Sequence, residues 1–233
     1  MNYINSLPTV FGSGGTSVIM TDSNQYIFVG YDSFSNRRYY TIDIPTGNLL
    51  NDTSAPESIL GLQIDPGTNK LYGLVFQSST YYFVSLNNLS GQITYLDTLP
   101  NVQFAFEMGF NPFSNHYIFS AKNFGGPLVD RYYTIDVLTG AVINDTLGTN
   151  SIKMLQIDTA NGTIYGLWYD GSMHHFVSVN NMTGQMTDIN TLPAVEFLTI
   201  RTEVFNSVTK QYIFRGNAFG EPFGVDRYYT IDA

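Results

Sequence analysis

The sequence contains no cysteine and few charged residues. The first feature excludes a type of fold stabilisation, and the second excludes a class of binding partner. Without cysteine, no disulfide framework supports the fold. Aspartate, glutamate, lysine and arginine make up 12% of the 233 residues, about half the usual share in a soluble domain. The ten lysines and arginines are scattered, and the formal net charge is −9. Nucleic acid is therefore excluded as an expected partner, because a phosphate-binding face needs clustered cations.

Long apolar runs and the residue pattern of a signal peptide are also missing from this sequence. No apolar stretch approaches the roughly 20 residues that a membrane-spanning helix needs, so membrane insertion is not expected. The first residues, from Met1 to Ile4, lack the basic and apolar regions of a signal peptide. These features predict a cytoplasmic protein if the chain is full length. A processed or recombinant domain with an added Met1 would instead be extracellular or at the cell surface, and the sequence leaves both alternatives open.

What the sequence does contain is repetition. Hydrophobic residues make up 43% of the chain and aromatic residues 15%, enough for a large core, and two short motifs recur. One reads aromatic, Tyr or Val, Thr or Ser, aliphatic, Asp or Asn; its five copies begin 44 to 52 residues apart, at Tyr39, Phe83, Tyr132, Phe176 and Tyr228. The other precedes each copy and is centred on Ile27, Tyr72, Ile118, Tyr165 and Ile213. Such a period is typical of propeller blades.

Each repeat has room for four short strands. Apolar and polar residues alternate within them, and turns rich in Gly, Asn and Asp separate them. The sequence therefore predicts an all-β fold, a five-bladed β-propeller with four antiparallel strands per blade, in a single domain over residues 1–233. The predicted blades cover about 14–55, 56–100, 101–148, 149–193 and 194–233.

The two ends of the chain complement each other. The fourth strands of blades two and four end in Leu99-Pro100 and Leu192-Pro193, and Asn5-Ser6-Leu7-Pro8 repeats this ending near the N-terminus. The last repeat, in contrast, stops after its third strand. Residues 2–8 are therefore predicted to form the outer strand of blade five and to close the ring, which would remove open sheet edges.

Two motifs carry a family resemblance: Ile64–Gly73, which reads Ile-Asp-Pro-Gly-Thr-Asn-Lys-Leu-Tyr-Gly, and Ile42–Gly47, which reads Ile-Asp-Ile-Pro-Thr-Gly. They resemble repeats in many bacterial propeller proteins of unassigned function, and the resemblance covers the whole chain. In blade number and size the chain is also similar to the tachylectin-type lectins, although none of their sugar-binding motifs is matched. These resemblances imply the propeller fold and carry over no site residue, because fold does not imply function.

Four charges interrupt the otherwise apolar innermost strands, and they are the first group of candidate site residues: Glu107, Lys153, Arg201 and Glu203. One interpretation is a mutually neutralising ion cluster near the central channel, since buried charges must be paired. The other is a glycoside hydrolase in which Glu107 and Glu203 act as acid and base, which needs carboxyls roughly 5–9 Å apart. We favour the ion cluster, because two cations accompany the glutamates and the glutamates occupy different positions along their strands.

Other catalytic arrangements have no support in the sequence. The three histidines, His116, His174 and His175, are dispersed, and the adjacent His174 and His175 are expected on opposite faces of one strand. No Gly-x-Ser-x-Gly elbow occurs. We therefore expect no metal and no cofactor, assign no catalytic residue, and favour a protein that is not an enzyme.

The loops between the second and third strands are long in blades three and five. They contain Phe124 and Arg131 in blade three, and Phe219 and Arg227 in blade five. Long loops on a rigid scaffold commonly carry binding sites, so these four residues form the second group of candidates. The alternative is a structural role in which the adjacent Asp and Arg of each loop pair with each other and close it.

A third group lies near the same rim in blade four, where Trp168, Tyr169 and Asp170 end the second strand. An exposed aromatic ring beside a carboxylate suits stacking on a sugar, whereas the alternative places Trp168 in the core between blades. Low charge, repeated loops and the missing catalytic set together predict a non-catalytic binding module. Such a module would be lectin-like or would bind a protein surface through the loop face. A structural or assembly subunit is the first alternative, and the hydrolase is the second.

Overall fold

The computed structural model describes residues 12–20, 23–55, 58–87, 89–123, 130–147, 152–193, 195–198, 203–218, 220 and 225–233. Within these residues the chain forms twenty β-strands and no helix, and thus contains no helix long and apolar enough to cross a membrane. Blades one and two comprise β1 (Gly12–Met20), β2 (Gln25–Tyr31), β3 (Arg37–Asp43), β4 (Leu49–Ser54), β5 (Ile59–Asp65), β6 (Lys70–Gln77), β7 (Thr80–Leu86) and β8 (Ile93–Leu99). Blades three and four comprise β9 (Val102–Asn111), β10 (His116–Asn123), β11 (Asp130–Asp136), β12 (Val142–Leu147), β13 (Ile152–Ile157), β14 (Ile164–Tyr169), β15 (His174–Val179) and β16 (Met186–Leu192). Blade five comprises β17 (Val195–Leu198), β18 (Val204–Asn206), β19 (Gln211–Ala218) and β20 (Asp226–Asp232).

The strands form five antiparallel four-stranded sheets, and each of the first four sheets follows chain order. In the fifth sheet both β17 and β18 pair with β19, which pairs in turn with β20, so the innermost strand is present as two segments. These sheets are the blades of a five-bladed β-propeller, which confirms the predicted fold class. The predicted outer strand at 2–8 lies outside the described residues.

The chain divides into two compact units, Met1–Gln103 with Thr139–Ala141, and Phe104–Leu138 with Val142–Ala233. In the first unit, blades one and two bury an apolar cluster that includes Ile27, Val29, Tyr39, Ile59, Leu71 and Val84. The second unit buries one cluster between blades three and four (Ile118, Tyr132, Ile152 and Val177) and another between blades four and five (Leu167, Phe176, Tyr212 and Phe214). Because each fully buried large apolar side chain contributes about 1.5–3 kcal/mol, these clusters hold the blades together within each unit.

A glycine in the turn after the third strand lets neighbouring blades approach closely. Gly91 in blade two and Gly184 in blade four have φ angles of 69° and 67°, in the left-handed region that favours glycine. A Cβ at Gly184 would lie 2.7 Å from Cγ of Tyr132, and one at Gly91 would lie 3.3 Å from Cδ2 of Tyr39. Both tyrosines begin a copy of the first motif and are 1% exposed. In these two blades the turn glycine therefore lies against the motif tyrosine of the preceding blade.

Candidate functional site

The innermost strands share a bulge that places Glu107. Gly61, Glu107 and Met154 each stand four residues before the turn that ends their strand, and their φ angles are 57°, 50° and 55°. In blades two and four the pairing register shifts at this point, which is the mark of an extra residue in the strand. A left-handed backbone conformation destabilises a residue other than glycine by about 1–2 kcal/mol. Glu107 and Met154 adopt this conformation despite that cost.

The Glu107 side chain binds the bulge of the next blade. Its Oε2 accepts a hydrogen bond from the backbone N–H of Leu155 at 3.2 Å, and the N–H of Met154 also contributes. From the other side, the buried hydroxyl of Tyr212 in blade five donates to the carbonyl of Met154. Glu107 and Tyr212 therefore hold the blade-four bulge between them, and the bulge explains why its backbone groups need partners from outside their own sheet.

Burial is the main influence on the pKa values of Glu107 and Tyr212. Desolvation raises the pKa of Glu107 above its ordinary value, the N–H of Leu155 opposes that change, and the nearby Glu203 adds to it. Desolvation also raises the pKa of Tyr212 well above its ordinary value. A carboxyl held this way is a candidate general acid only if a substrate can reach it, and Glu107 is already engaged with backbone N–H groups.

Lys153 and Glu203, two other members of the predicted ion cluster that the structure describes, do not form an ion pair with each other. The Lys153 ammonium lies over the Phe106 ring, 5.6 Å from its centroid. No ion pair among the described residues joins Lys153 to Glu107 or Glu203. Oε2 of Glu203 is buried without a hydrogen-bond partner in the described part of the chain. Arg201 lies outside the described residues, so the neutralising cluster stays a prediction.

In blade four, Trp168 lies against the core. Its side chain packs on the cluster between blades three and four, and its ring stacks on His175 with centroids 4.8 Å apart at 28°. The residue is only partly buried. Trp168 therefore anchors the end of β14, and the neighbouring residues present the exposed surface.

Tyr169 is that exposed aromatic. It is 50% exposed, its hydroxyl donates to the carbonyl of Gly171 at 2.9 Å, and its ring contacts His174 at 4.9 Å. His174 is itself fixed, because its Nδ1 donates to the carbonyl of Val195 in blade five at 3.1 Å. The ring of Tyr169 is thus held at both ends while one side faces solvent.

Asp170 closes the turn from β14 to β15. Its Oδ1 accepts from the backbone N–H groups of Ser172 (2.7 Å) and Met173 (2.9 Å) and from the Ser172 hydroxyl (2.8 Å). Its Oδ2 lies 3.1 Å from Nε2 of His175. The N–H groups of Met173 and Ser172 hold the pKa of Asp170 far below its ordinary value. Internal partners therefore occupy both oxygens of this carboxylate.

His175 completes a group that sequence reasoning missed. Its Nδ1 lies 2.6 Å from Oδ2 of Asp188 on β16, so the ring sits between two carboxylates. His174 and His175 bond to different elements, as expected for adjacent residues on opposite faces of a strand. Asp188 could not be identified from the residue pattern, because its position depends on the register of β15 and β16 and on a bulge between Phe176 and Val177.

In blade three the structure corrects the alternative in which the adjacent Asp130 and Arg131 pair with each other. Arg131 pairs across the sheet with Asp145, and its Nη2 donates to the Asp145 carbonyl at 3.0 Å. Asp130 pairs instead with Lys122 at 3.1 Å. The predicted Asp130–Arg131 pair was wrong because successive residues in a strand point to opposite faces.

In blade five, Asp226 pairs with Arg215, and Arg227 is the next residue of β20. Phe124 and Phe219 lie outside the described residues, so their part in a site stays a prediction. Within the part of the chain that the structure describes, no group of three or more His, Asp or Glu side chains could hold a metal ion.

Comparison with known proteins gives a fold and no family. No family model matches the chain, and no curated protein matches it in sequence. TolB from Acinetobacter baumannii is similar in structure, with 11% identity and a TM-score of 0.66 over 93% of this chain and 51% of TolB. An oligogalacturonate lyase in complex with manganese matches with 12% identity and a TM-score of 0.57, over 97% of this chain and 75% of that one. A nidogen/laminin complex matches with 10% identity and a TM-score of 0.60, over 89% and 74%.

At these identities the likeness shows the propeller fold alone. The chain spans about half the length of the TolB chain, at 51%.

Proposed function

We propose that this chain is a non-catalytic binding module that recognises a protein partner through the blade-four rim, defined as Trp168, Tyr169 and the turn 170–173. The observation that carries the proposal is Tyr169, an aromatic ring that is 50% exposed and yet fixed by a hydrogen bond and a ring contact. Tyrosines of this kind are common binding hot spots, because they offer large contact area and lose little rotamer freedom on binding.

The inner-strand cluster supports binding over catalysis. Glu107 is occupied by the backbone N–H of Leu155, and Tyr212 by the carbonyl of Met154. A hydrolase would need both Glu107 and Glu203 directed at a substrate. The contacts of Glu107 favour a role in joining blades.

The internal hydrogen bonds of Asp170 favour a protein partner over a glycan. Sugar recognition relies on polar groups that are available to hydroxyls, and the four internal contacts of Asp170 leave its carboxylate little capacity. One similar structure is a complex of nidogen with laminin, both of them proteins. A glycan is the second candidate, because the exposed face of Tyr169 also suits stacking on a sugar ring.

The test compares three baits: the wild type, Tyr169→Ala, and Tyr95→Ala. Tyr95 is the matched control, since it is 46% exposed and lies on β8 in another blade. Each bait is used for quantitative affinity purification from extracts of the cells that naturally make the protein. Each is also applied in parallel to a glycan array. Loss of a hot-spot tyrosine costs about 2 kcal/mol, which is roughly 30-fold in Kd.

We expect at least one protein to be retained by the wild type and Tyr95→Ala and lost by Tyr169→Ala. A glycan signal with the same dependence would establish the second candidate instead. If every retained protein and glycan is indifferent to Tyr169, the proposal is wrong.

A further inference from the structure

His175 links two parts of blade four that the chain otherwise leaves separate. Its Nε2 lies 3.1 Å from Oδ2 of Asp170 in the turn after β14, and its Nδ1 lies 2.6 Å from Oδ2 of Asp188 in the outer strand β16. The imidazole side chain is 10% exposed, whereas the carboxylates of Asp170 and Asp188 are 30% and 45% exposed. The ring therefore sits inside the blade-four rim with a carboxylate at each nitrogen.

This arrangement requires a proton on both nitrogens. Carboxylates accept hydrogen bonds and cannot donate them when ionised, and a neutral imidazole has one N–H and one lone pair. A neutral His175 could therefore donate to Asp170 or to Asp188, and its other nitrogen would face a carboxylate oxygen as lone pair against lone pair. Only the imidazolium satisfies both contacts.

The surroundings hold few other charges. Among the described residues, the groups that raise the pKa of His175 are Asp170 and Asp188. On β14, Trp168 stacks on the ring, and Tyr169 directs its hydroxyl to Gly171 instead. The neighbouring His174 on β15 feels the charge of His175, but its ring nitrogen bonds to blade five.

We propose that His175 is a protonation-dependent clamp: as the imidazolium it ties the turn 170–173 to β16 and fixes the blade-four rim, and as the neutral ring it releases one of the two carboxylates. The idea that this clamp regulates partner binding rests on the proposed function. The pH-dependent contact itself depends only on the geometry of His175, Asp170 and Asp188.

The direction of the pH effect follows from the balance of forces on the ring. Burial alone would lower the pKa of His175, but the hydrogen bonds and charges of Asp170 and Asp188 outweigh it and raise that pKa above the ordinary value of 6.5. A raised pKa in the folded state means that the clamp is fully present below the ordinary value and is lost as the pH rises through the folded-state value. The rim is thus fixed in mild acid and loosened in alkali.

The chain offers a reporter at the right place, because Trp168 is its only tryptophan and stacks directly on His175. An imidazolium in contact with indole quenches its fluorescence by electron transfer. We therefore expect the emission of the full chain, followed from about pH 5 to pH 9, to increase as His175 loses its proton. With only three histidines in the chain, NMR of the imidazole C–H signals gives the titration of each directly.

The variants are His175→Gln, Asp188→Asn and the matched control His174→Gln. We expect His174→Gln to keep the fluorescence transition and His175→Gln to abolish it. Asp188→Asn should lower its midpoint by removing one carboxylate. Asp188 is nearly half exposed, so its substitution tests the clamp even if His175→Gln fails to fold, which circular dichroism would reveal.

A His175 midpoint at or below 6.5, or a midpoint unchanged in Asp188→Asn, would overturn the clamp. No partner enters this experiment, so its failure leaves the binding proposal standing. Conversely, a failed search for partners that depend on Tyr169 leaves the titration of His175 untouched.

Discussion

The ammonium of Lys210 in blade five lies 2.7 Å from Oδ2 of Asp158 in blade four, and the side chain of Asp158 is fully buried. Asp158 also accepts the backbone N–H of Ala160 at 2.9 Å. A buried carboxylate needs such partners, because an isolated ion loses its hydration without compensation. The pair therefore connects two blades and also satisfies the turn that ends β13.

Removing the lysine should leave a buried charge behind. Loss of one partner of a buried pair costs about 3–5 kcal/mol, but the Lys210 side chain is 43% exposed, so solvent screening reduces the figure for Lys210→Met to about 1–3 kcal/mol. Denaturant unfolding at neutral pH measures this loss. Lys70→Met is the control, since Lys70 is exposed at the start of β6, and it should change stability by less than about 0.5 kcal/mol. Equal effects of the two substitutions would contradict the buried-pair assignment.

The same pair has a pH signature. Burial would raise the pKa of Asp158, but hydrogen bonds from Lys210 and Ala160 hold it below its ordinary value of 3.8. Its contribution is therefore present above that value and lost as the pH falls through the folded-state pKa. The stability difference between wild type and Lys210→Met should shrink in acid, and a difference independent of pH would argue against an ion pair.

The contribution of Glu107 to stability should change with pH in the opposite direction from that of Asp158. Because burial raises its pKa above the ordinary 4.5, the folded state holds this proton more tightly, and stability falls as the pH rises from that value through the folded-state pKa. In Glu107→Gln the group cannot ionise, so the loss of stability across this window should be smaller than in the wild type. Matched denaturation curves on each side of the window measure the difference, and parallel curves for the two proteins would refute the raised pKa.

Glu107 also separates the binding proposal from the hydrolase alternative. Glu107→Ala leaves the Leu155 N–H without its acceptor and should cost about 1–3 kcal/mol, whereas Glu107→Gln keeps an acceptor oxygen and should cost less. Neither the wild type nor the variants should release sugar from oligosaccharides. Sugar release by the wild type that is lost in both Glu107→Gln and Glu203→Gln would instead establish the hydrolase.

The fold was predictable from the sequence because its determinants are local and repeated. The turn glycines and the motif tyrosines, such as Gly184 and Tyr132, recur at a fixed period and need no knowledge of strand pairing. The rim contacts depend on register instead. Asp145 meets Arg131, and Asp188 meets His175, only after each outer strand is aligned and bulged. A one-residue slip would place each of these side chains on the other face, and periodicity alone does not fix that choice.

The glycine–tyrosine contact has a direct test in the pair Gly184→Ala and Gly220→Ala. Both glycines have positive φ, at 67° and 79°, but a Cβ at Gly184 would meet the Tyr132 ring at 2.7 Å, whereas no atom of the described residues lies within 4 Å at Gly220. Gly220→Ala should therefore show only the backbone cost, about 1 kcal/mol, and Gly184→Ala an additional 1–3 kcal/mol of overpacking, on the order found for crowded cores. Thermal unfolding of both variants measures the difference. Similar losses would mean that the two blades can separate slightly at no cost.

Closure of the ring by residues 2–8 can be tested because the chain has no cysteine of its own. In blade two Asp97 opposes Phe83, and in blade four Asn190 opposes Phe176. The repeats align Asn5 with Asp97 and Tyr228 with Phe83, so the predicted outer strand would place Asn5 opposite Tyr228. Tyr228 is 77% exposed and open to substitution.

The variant Asn5→Cys/Tyr228→Cys should therefore form an intramolecular disulfide under mild oxidation, since opposed positions on paired strands fall within the Cα separation that a disulfide needs. Non-reducing electrophoresis of dilute protein, with mass spectrometry of the linked peptides, detects the bond. Tyr82→Cys/Thr98→Cys, a pair already opposed in blade two, is the positive control. Asn5→Cys/Tyr229→Cys is the negative control, because Tyr229 is the next residue of β20 and its side chain projects from the other face. Efficient bonding of the control pair together with none between positions 5 and 228 would show that the N-terminal segment does not complete blade five.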